Sequence, residues 1–137
     1  MPDTLALRKV LEGFAATPSV TLTPFTVEAA DFARGELRLL FEPRPDFANR
    51  NGVTQGGLAM GMMDVALSLA AYAGTGRFGP TVEMKASYLA PLPIGPVAAT
   101  ARVVKAGRTL VFLEGALGAP GAPVSIAATA TVILRDG

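Results

Sequence analysis

Histidine and cysteine are both missing from the 137 residues of this chain. Without cysteine there can be no disulfide, thiol nucleophile or thiolate metal site, and a reducing cytoplasm is the expected setting. Without histidine, one chain cannot build a Ser-His-Asp or Cys-His arrangement, an ordinary zinc site or a histidine general base. Acid–base or nucleophilic chemistry therefore falls to carboxylates, lysine, tyrosine or hydroxyls. Net charge is scarce as well. A formal +1 argues against a dedicated nucleic-acid binder. The start Met1-Pro-Asp-Thr4 has no basic stretch leading into an apolar one, so no signal peptide is expected. Repeats, low-complexity tracts and linkers are absent too.

What the chain has in quantity is apolar side chains. They make up 50% of the residues, and the mean hydropathy is +0.42. That is high for a monomer, so some apolar surface is expected between subunits. The length fits one domain, residues 1–137, with enough chain to bury a core.

One segment concentrates the signal. Between Arg50 and Arg77 the only charged side chain is Asp64, inside the run Leu58-Ala-Met-Gly-Met-Met-Asp64-Val-Ala-Leu-Ser-Leu-Ala-Ala-Tyr72. A carboxylate there either finds a buried partner or does chemistry, because leaving it dry and unpaired costs several kcal/mol. Gly56 and Gly57 open the same segment. They serve tight packing or a turn, or they let backbone N–H groups approach a ligand closely. The run is short for a membrane span and carries an acid at its middle, so a buried helix is the better reading. Met60, Met62 and Met63 read as core or interface filler, with the lining of an apolar channel as the alternative.

The remaining pattern is built around that helix. Asp3 can cap a first helix running to about Phe14, which Pro18 ends. Val20 to Val27 reads as a strand with Pro24 at an edge or bulge. Arg34-Gly35 is a turn, and Glu36 to Glu42 alternates. Residues 43–55 form a polar loop containing Pro43, Pro45, Asn49, Asn51, Gly52 and Gln55, which leads into a helix from Gly56 to about Ala73. Thr81 to Leu89 alternates, setting Val82, Met84, Ala86 and Tyr88 against Thr81, Glu83, Lys85 and Ser87. Val97 to Lys105 and Thr109 to Leu117 flank a hairpin at Ala106-Gly107-Arg108, and Val124 to Leu134 alternates again. The expected class is α+β, with about six antiparallel strands in a sheet curled around a long central helix that is apolar nearly all round.

The stretch Asn49-Arg-Asn-Gly52-Val-Thr-Gln55-Gly56-Gly57-Leu-Ala-Met-Gly-Met-Met-Asp64 resembles the hotdog-fold acyl-CoA thioesterases, most closely the phenylacetic-acid-degradation branch. That pattern is an amide residue, a glycine and His-Gly-Gly, with an acid eight positions after the first paired glycine; Gly56 and Asp64 match this spacing. Thr81-Val-Glu-Met-Lys-Ala-Ser-Tyr88-Leu89-Ala-Pro91 and Lys105-Ala-Gly107-Arg108-Thr resemble the family's next strand and hairpin. The resemblance covers roughly residues 35–135. It implies a single hotdog domain with a short N-terminal helix that hydrolyses an acyl-CoA thioester in the cytoplasm. The Gly56 amide would form the oxyanion hole, and Asp64 would act as nucleophile or general base. Asn49 would position water or the carboxylate, and Thr81 would supply a hydroxyl near the acid. Gln55 stands where the branch has histidine; it can donate a hydrogen bond but cannot take up a proton at neutral pH.

Lys85, Arg102, Lys105 and Arg108 are candidates for the phosphates of coenzyme A, against the plainer reading of a solvated strand face. No metal or resident cofactor is expected, coenzyme A being part of the substrate; no nucleic acid or membrane partner is expected either. Spacing adds a physical argument. Eight helical residues put Gly56 and Asp64 roughly 12 Å apart along the axis, too far for both to meet one thioester carbon when donors must sit ~3 Å from the oxyanion. Two antiparallel copies of the helix would close that gap, which predicts a homodimer with two composite sites; pairing of dimers is left open. A hotdog hydratase or dehydratase, which relies on a histidine, does not fit. A non-catalytic module that binds acyl-CoA or an acyl carrier is the alternative, motivated by Gln55.

Overall fold

A computed structural model describes residues 2–13, 17–42 and 44–136. Six antiparallel strands form one sheet: β1 (Phe25–Asp31), β2 (Glu36–Phe41), β3 (Thr81–Tyr88), β4 (Val97–Ala106), β5 (Leu110–Gly118) and β6 (Ile126–Ile133). Their spatial order is β1-β2-β4-β5-β6-β3, so β1 and β3 are the edges. Helix α1 (Pro2–Glu12) packs on β1, and the long helix α3 (Gly56–Thr75) lies across β2, β4 and β5. This is the hotdog arrangement the sequence predicts.

The strands' alternation sets the core. Leu39, Leu113, Leu117, Ile126 and Val132 face α3 and are fully buried, meeting Met63 and Leu67 of the helix. Each fully buried aliphatic side chain stabilises the fold by about 1.5–3 kcal/mol relative to its exposed state. Gly115, midway along β5, sets how close the helix comes. A Cβ there would lie 2.9 Å from the Met63 sulfur and 2.8 Å from the Thr100 carbonyl oxygen. At the far end Gly35 (φ +61°) and Gly74 touch backbone to backbone beneath Val103, which brings the β1–β2 turn against the end of α3. By length and composition α3 could cross a membrane, but here its apolar surface is spent on the sheet, with Met62, Met63, Ala66, Leu67 and Ala70 all buried.

Three expectations need correction at the N-terminal end. Asp3 lies within the first turn of α1, and its carboxylate accepts the Phe32 amide N–H at 2.8 Å, so it ties α1 to the β1–β2 turn. Pro18 opens a short helix, α2 (Pro18–Leu22), because its fixed φ and missing N–H suit a first helical position. The strand therefore starts only at Phe25, and the β-branched Val20 and Thr21 sit in α2, where the Thr21 hydroxyl bonds the Pro18 carbonyl. Phe14 and Pro43 lie outside the described residues. The other predicted strands and the Gly107 hairpin agree with the structure to within two residues at each end.

Candidate active site

The loop before α3 is a closed unit. Arg44 pairs with Asp46 at 2.7 Å, which holds that carboxyl below its ordinary range, and its guanidinium lies 4.9 Å from the centre of the buried Phe47 ring. The Phe47 carbonyl accepts the Gln55 N–H at 2.8 Å, closing the loop at the start of the helix. Within it the Asn49 side-chain oxygen accepts the amides of Asn51 (2.9 Å) and Val53 (3.4 Å), while Gly52 adopts φ +78°. That turn points the chain into α3.

Gln55 is the N-cap residue, yet its side chain makes no capping bond. The N–H groups of Gly56, the first helical residue, and Gly57, which the cap would otherwise reach, donate to no acceptor among the described residues. A helix start with open amides attracts a developing negative charge.

Asp64 lies two turns further on and is half-buried. Its Oδ1 accepts the Thr81 hydroxyl at 2.6 Å, and Oδ2 has no hydrogen bond among the described residues. The alternation of β3 read from sequence puts Thr81 on the face of Glu83 and Lys85, away from the helix. A bulge corrects this. Thr81 pairs with Val132 and Glu83 with the next residue, Thr131, so Val82 is the extra residue and is 53% exposed. The bulge turns Thr81 inward to Asp64 and leaves Glu83 outside, where it accepts the Thr131 hydroxyl at 2.7 Å.

The structure thus joins Thr81 to Asp64, sets Gln55 and Gly56 at the helix start, and keeps the Asn49 side chain within its own loop, bonded to the Asn51 and Val53 amides. One residue that sequence reasoning passed over reaches the helix start. The Tyr88 hydroxyl donates to the Gly56 carbonyl oxygen at 2.9 Å; the alternation placed Tyr88 on the apolar face of β3, but nothing in that pattern shows where the hydroxyl reaches.

The four basic candidates divide. Lys85 and Arg102 lie on the sheet face turned away from α3, and Arg102 donates to Glu114 at 2.6 Å. Lys105 and Arg108 are exposed at the β4–β5 hairpin, and their side chains form no ion pair among the described residues. A groove of about 840 Å³ lies on that outer face among Arg38, Lys85, Thr100, Arg102 and Glu114; it includes neither Gly56 nor Asp64.

The thioesterase superfamily matches residues 51–118, from the Asn49 turn through α3 to the end of β5. That match takes in the glycine pair and Asp64, and it spans just under half of the chain. A phenylacetic acid degradation-related protein of Ralstonia eutropha is similar over 93% of this chain and 98% of its own, at 26% identity and a TM-score of 0.82. Thioesterase superfamily member 2 of Mus musculus shares the fold at 24% identity, with a TM-score of 0.81 over 96% of this chain and 97% of its own. The smu.793 protein of Streptococcus mutans, solved bound to acetyl CoA, shares it at 20% identity, with a TM-score of 0.74 over 81% of this chain and 88% of its own. No curated protein sequence matches the chain.

Proposed function

We propose that this chain hydrolyses acyl-CoA thioesters at a composite site shared by two copies. The observation that carries the reading is the state of Asp64: the only charged side chain of α3, half-buried, with one oxygen held by Thr81 and the other free of hydrogen bonds among the described residues. A carboxylate fixed through one oxygen presents the other to water or to a carbonyl carbon. The Gly56 amide supplies the oxyanion donor at a helix start whose dipole is oriented before charge develops; losing such a donor costs ~10²–10³ in rate. Asn49, through its amide nitrogen, and Gln55 orient water and substrate from the loop.

The roughly 12 Å between Gly56 and Asp64 along one helix supports an antiparallel homodimer. So does the apolar surface left open: Val82, Tyr88 and Leu89, each more than half exposed on or just after edge strand β3, with Leu58 nearby at the helix start. Coenzyme A as the carrier is supported by the ligand of the S. mutans relative. Lys105 and Arg108, whose heads form no ion pair among the described residues, suit its phosphates better than Arg102. The residues at the site need no metal or redox group for this chemistry, and a cytoplasmic setting suits a chain without cysteine.

The test is thiol release over a panel of acyl-CoA esters. Asp64→Asn keeps the shape and removes the nucleophile or base, so turnover should fall roughly 10²–10⁴-fold while acyl-CoA still binds. Single turnover in H₂¹⁸O identifies direct attack if label appears in the Asp64 carboxylate, where water has opened the mixed anhydride at Asp64. Base catalysis, like opening of the anhydride at the acyl carbon, labels only the product acid, so the anhydride itself is sought by rapid-quench mass spectrometry. Near-native turnover by Asp64→Asn would refute the assignment. A wild-type protein that binds acyl-CoA and hydrolyses none would establish the binding module instead.

A further inference from the structure

We propose that Tyr88 is a positioning residue for this reaction, readying the Gly57 amide as a second donor to the oxyanion; the inference rests on the function proposed above. The Gly56 carbonyl and the Gly57 N–H are two ends of one peptide group. A donor on that oxygen draws electron density away from the nitrogen and makes the N–H a stronger donor. The Tyr88 hydroxyl is such a donor, at 2.9 Å. The peptide before it is loaded in the same way: the Gln55 carbonyl, which shares its group with the Gly56 N–H, accepts the amides of Leu58 and Ala59, each at 3.0 Å. Two successive N–H groups therefore leave the helix start polarised from behind, and neither has an acceptor among the described residues.

The two glycines have different reasons to be glycine. A Cβ at Gly56 would lie 3.0 Å from the Tyr88 ring and 3.2 Å from its hydroxyl oxygen, so a side chain there would press the phenol away from the carbonyl by a few tenths of an ångström, and a bare Cα lets it lie against the backbone. A Cβ at Gly57 would meet nothing within 4 Å; that side is open to a ligand. Tyr88 in turn is fixed where β3 ends, because the next two amides, Leu89 and Ala90, both bond the Ser125 carbonyl, at 2.8 and 3.1 Å. No bond is made or broken at Tyr88 and its proton stays on oxygen. Its part is to aim and strengthen a donor, which lowers the barrier to the tetrahedral intermediate more than it favours the bound ester.

Tyr88→Phe keeps the ring and removes the hydroxyl. Expected is a fall in kcat of about three- to tenfold with KM within about twofold of wild type. The second readout is the infrared carbonyl stretch of a ¹³C-labelled acyl-CoA bound to Asp64→Asn. It should lie below its value in water, and adding Tyr88→Phe should move it part of the way back. An unchanged kcat, a loss carried wholly by KM, or a stretch that does not move on adding Tyr88→Phe would overturn the proposal. Failure of the underlying reading looks different: Asp64→Asn would then turn over like wild type, whatever Tyr88→Phe does.

Discussion

A single hydroxyl holds the carboxylate at the centre of α3. Thr81 donates to Asp64 from the first residue of β3, directly before the bulged Val82. Thr81→Val replaces that hydroxyl with a methyl of nearly the same size. A hydrogen bond to a charged group contributes about 1.5–3 kcal/mol, so the variant should lose roughly ten- to a hundredfold in kcat. Its melting temperature should fall by no more than a few degrees, because the half-exposed carboxylate regains water when the hydroxyl is lost. Steady-state kinetics beside a thermal melt tests this; a large loss of stability with little loss of rate would make Thr81 a packing residue. Asp64 and the glycine pair were legible in the sequence because an acid in an apolar run and two glycines at its start are exceptional in themselves. The facing of Thr81 was not legible in the alternation of the strand, although the family resemblance had placed its hydroxyl near the acid. It depends on one extra residue in β3, and Val82 is as ordinary a strand residue as its neighbours. The reach of the Tyr88 hydroxyl was equally hidden, since it joins residues 32 apart in sequence.

Helix α3 and strand β5 meet where β5 has no side chain. Gly115→Ala places a methyl within 3 Å of both the Thr100 carbonyl and the Met63 sulfur; the thioether can swing away but the strand backbone cannot. Overpacking of this kind costs typically 1–3 kcal/mol. Chemical denaturation should show that loss, and activity should fall as well, since lifting α3 shifts both Gly56 and Asp64 relative to β3. Elements of this length follow from their periodicity, and so α3 and the four C-terminal strands were readable almost to their ends. The N-terminal quarter was less so. Val20 and Thr21 favour a strand by type, but Thr17-Pro18-Ser19 starts a helical turn that the hydroxyls of Thr21 and Thr23 then stitch to the Pro18 and Ser19 carbonyls. A local bonding choice there outweighed propensity.

For the whole molecule, the alternating strands indicate one antiparallel sheet but not its order. The jump from β2 to β4, and the return of β3 to the far edge beside β6, place the strand that follows α3 at an open border. Light scattering at micromolar concentration should give a dimer, and a monomer would remove the shared site. The position of β3 has one more result. The same strand holds Asp64 through Thr81 at its start and the Gly56 carbonyl through Tyr88 at its end, while its other long side is unpaired in a single chain. If a second copy completes the site along that border, turnover per chain is a property of concentration. Specific activity should hold constant on dilution until the assembly separates, then decline steeply, and recover when catalytically dead Asp64→Asn chains are added, since each mixed pair retains one intact site.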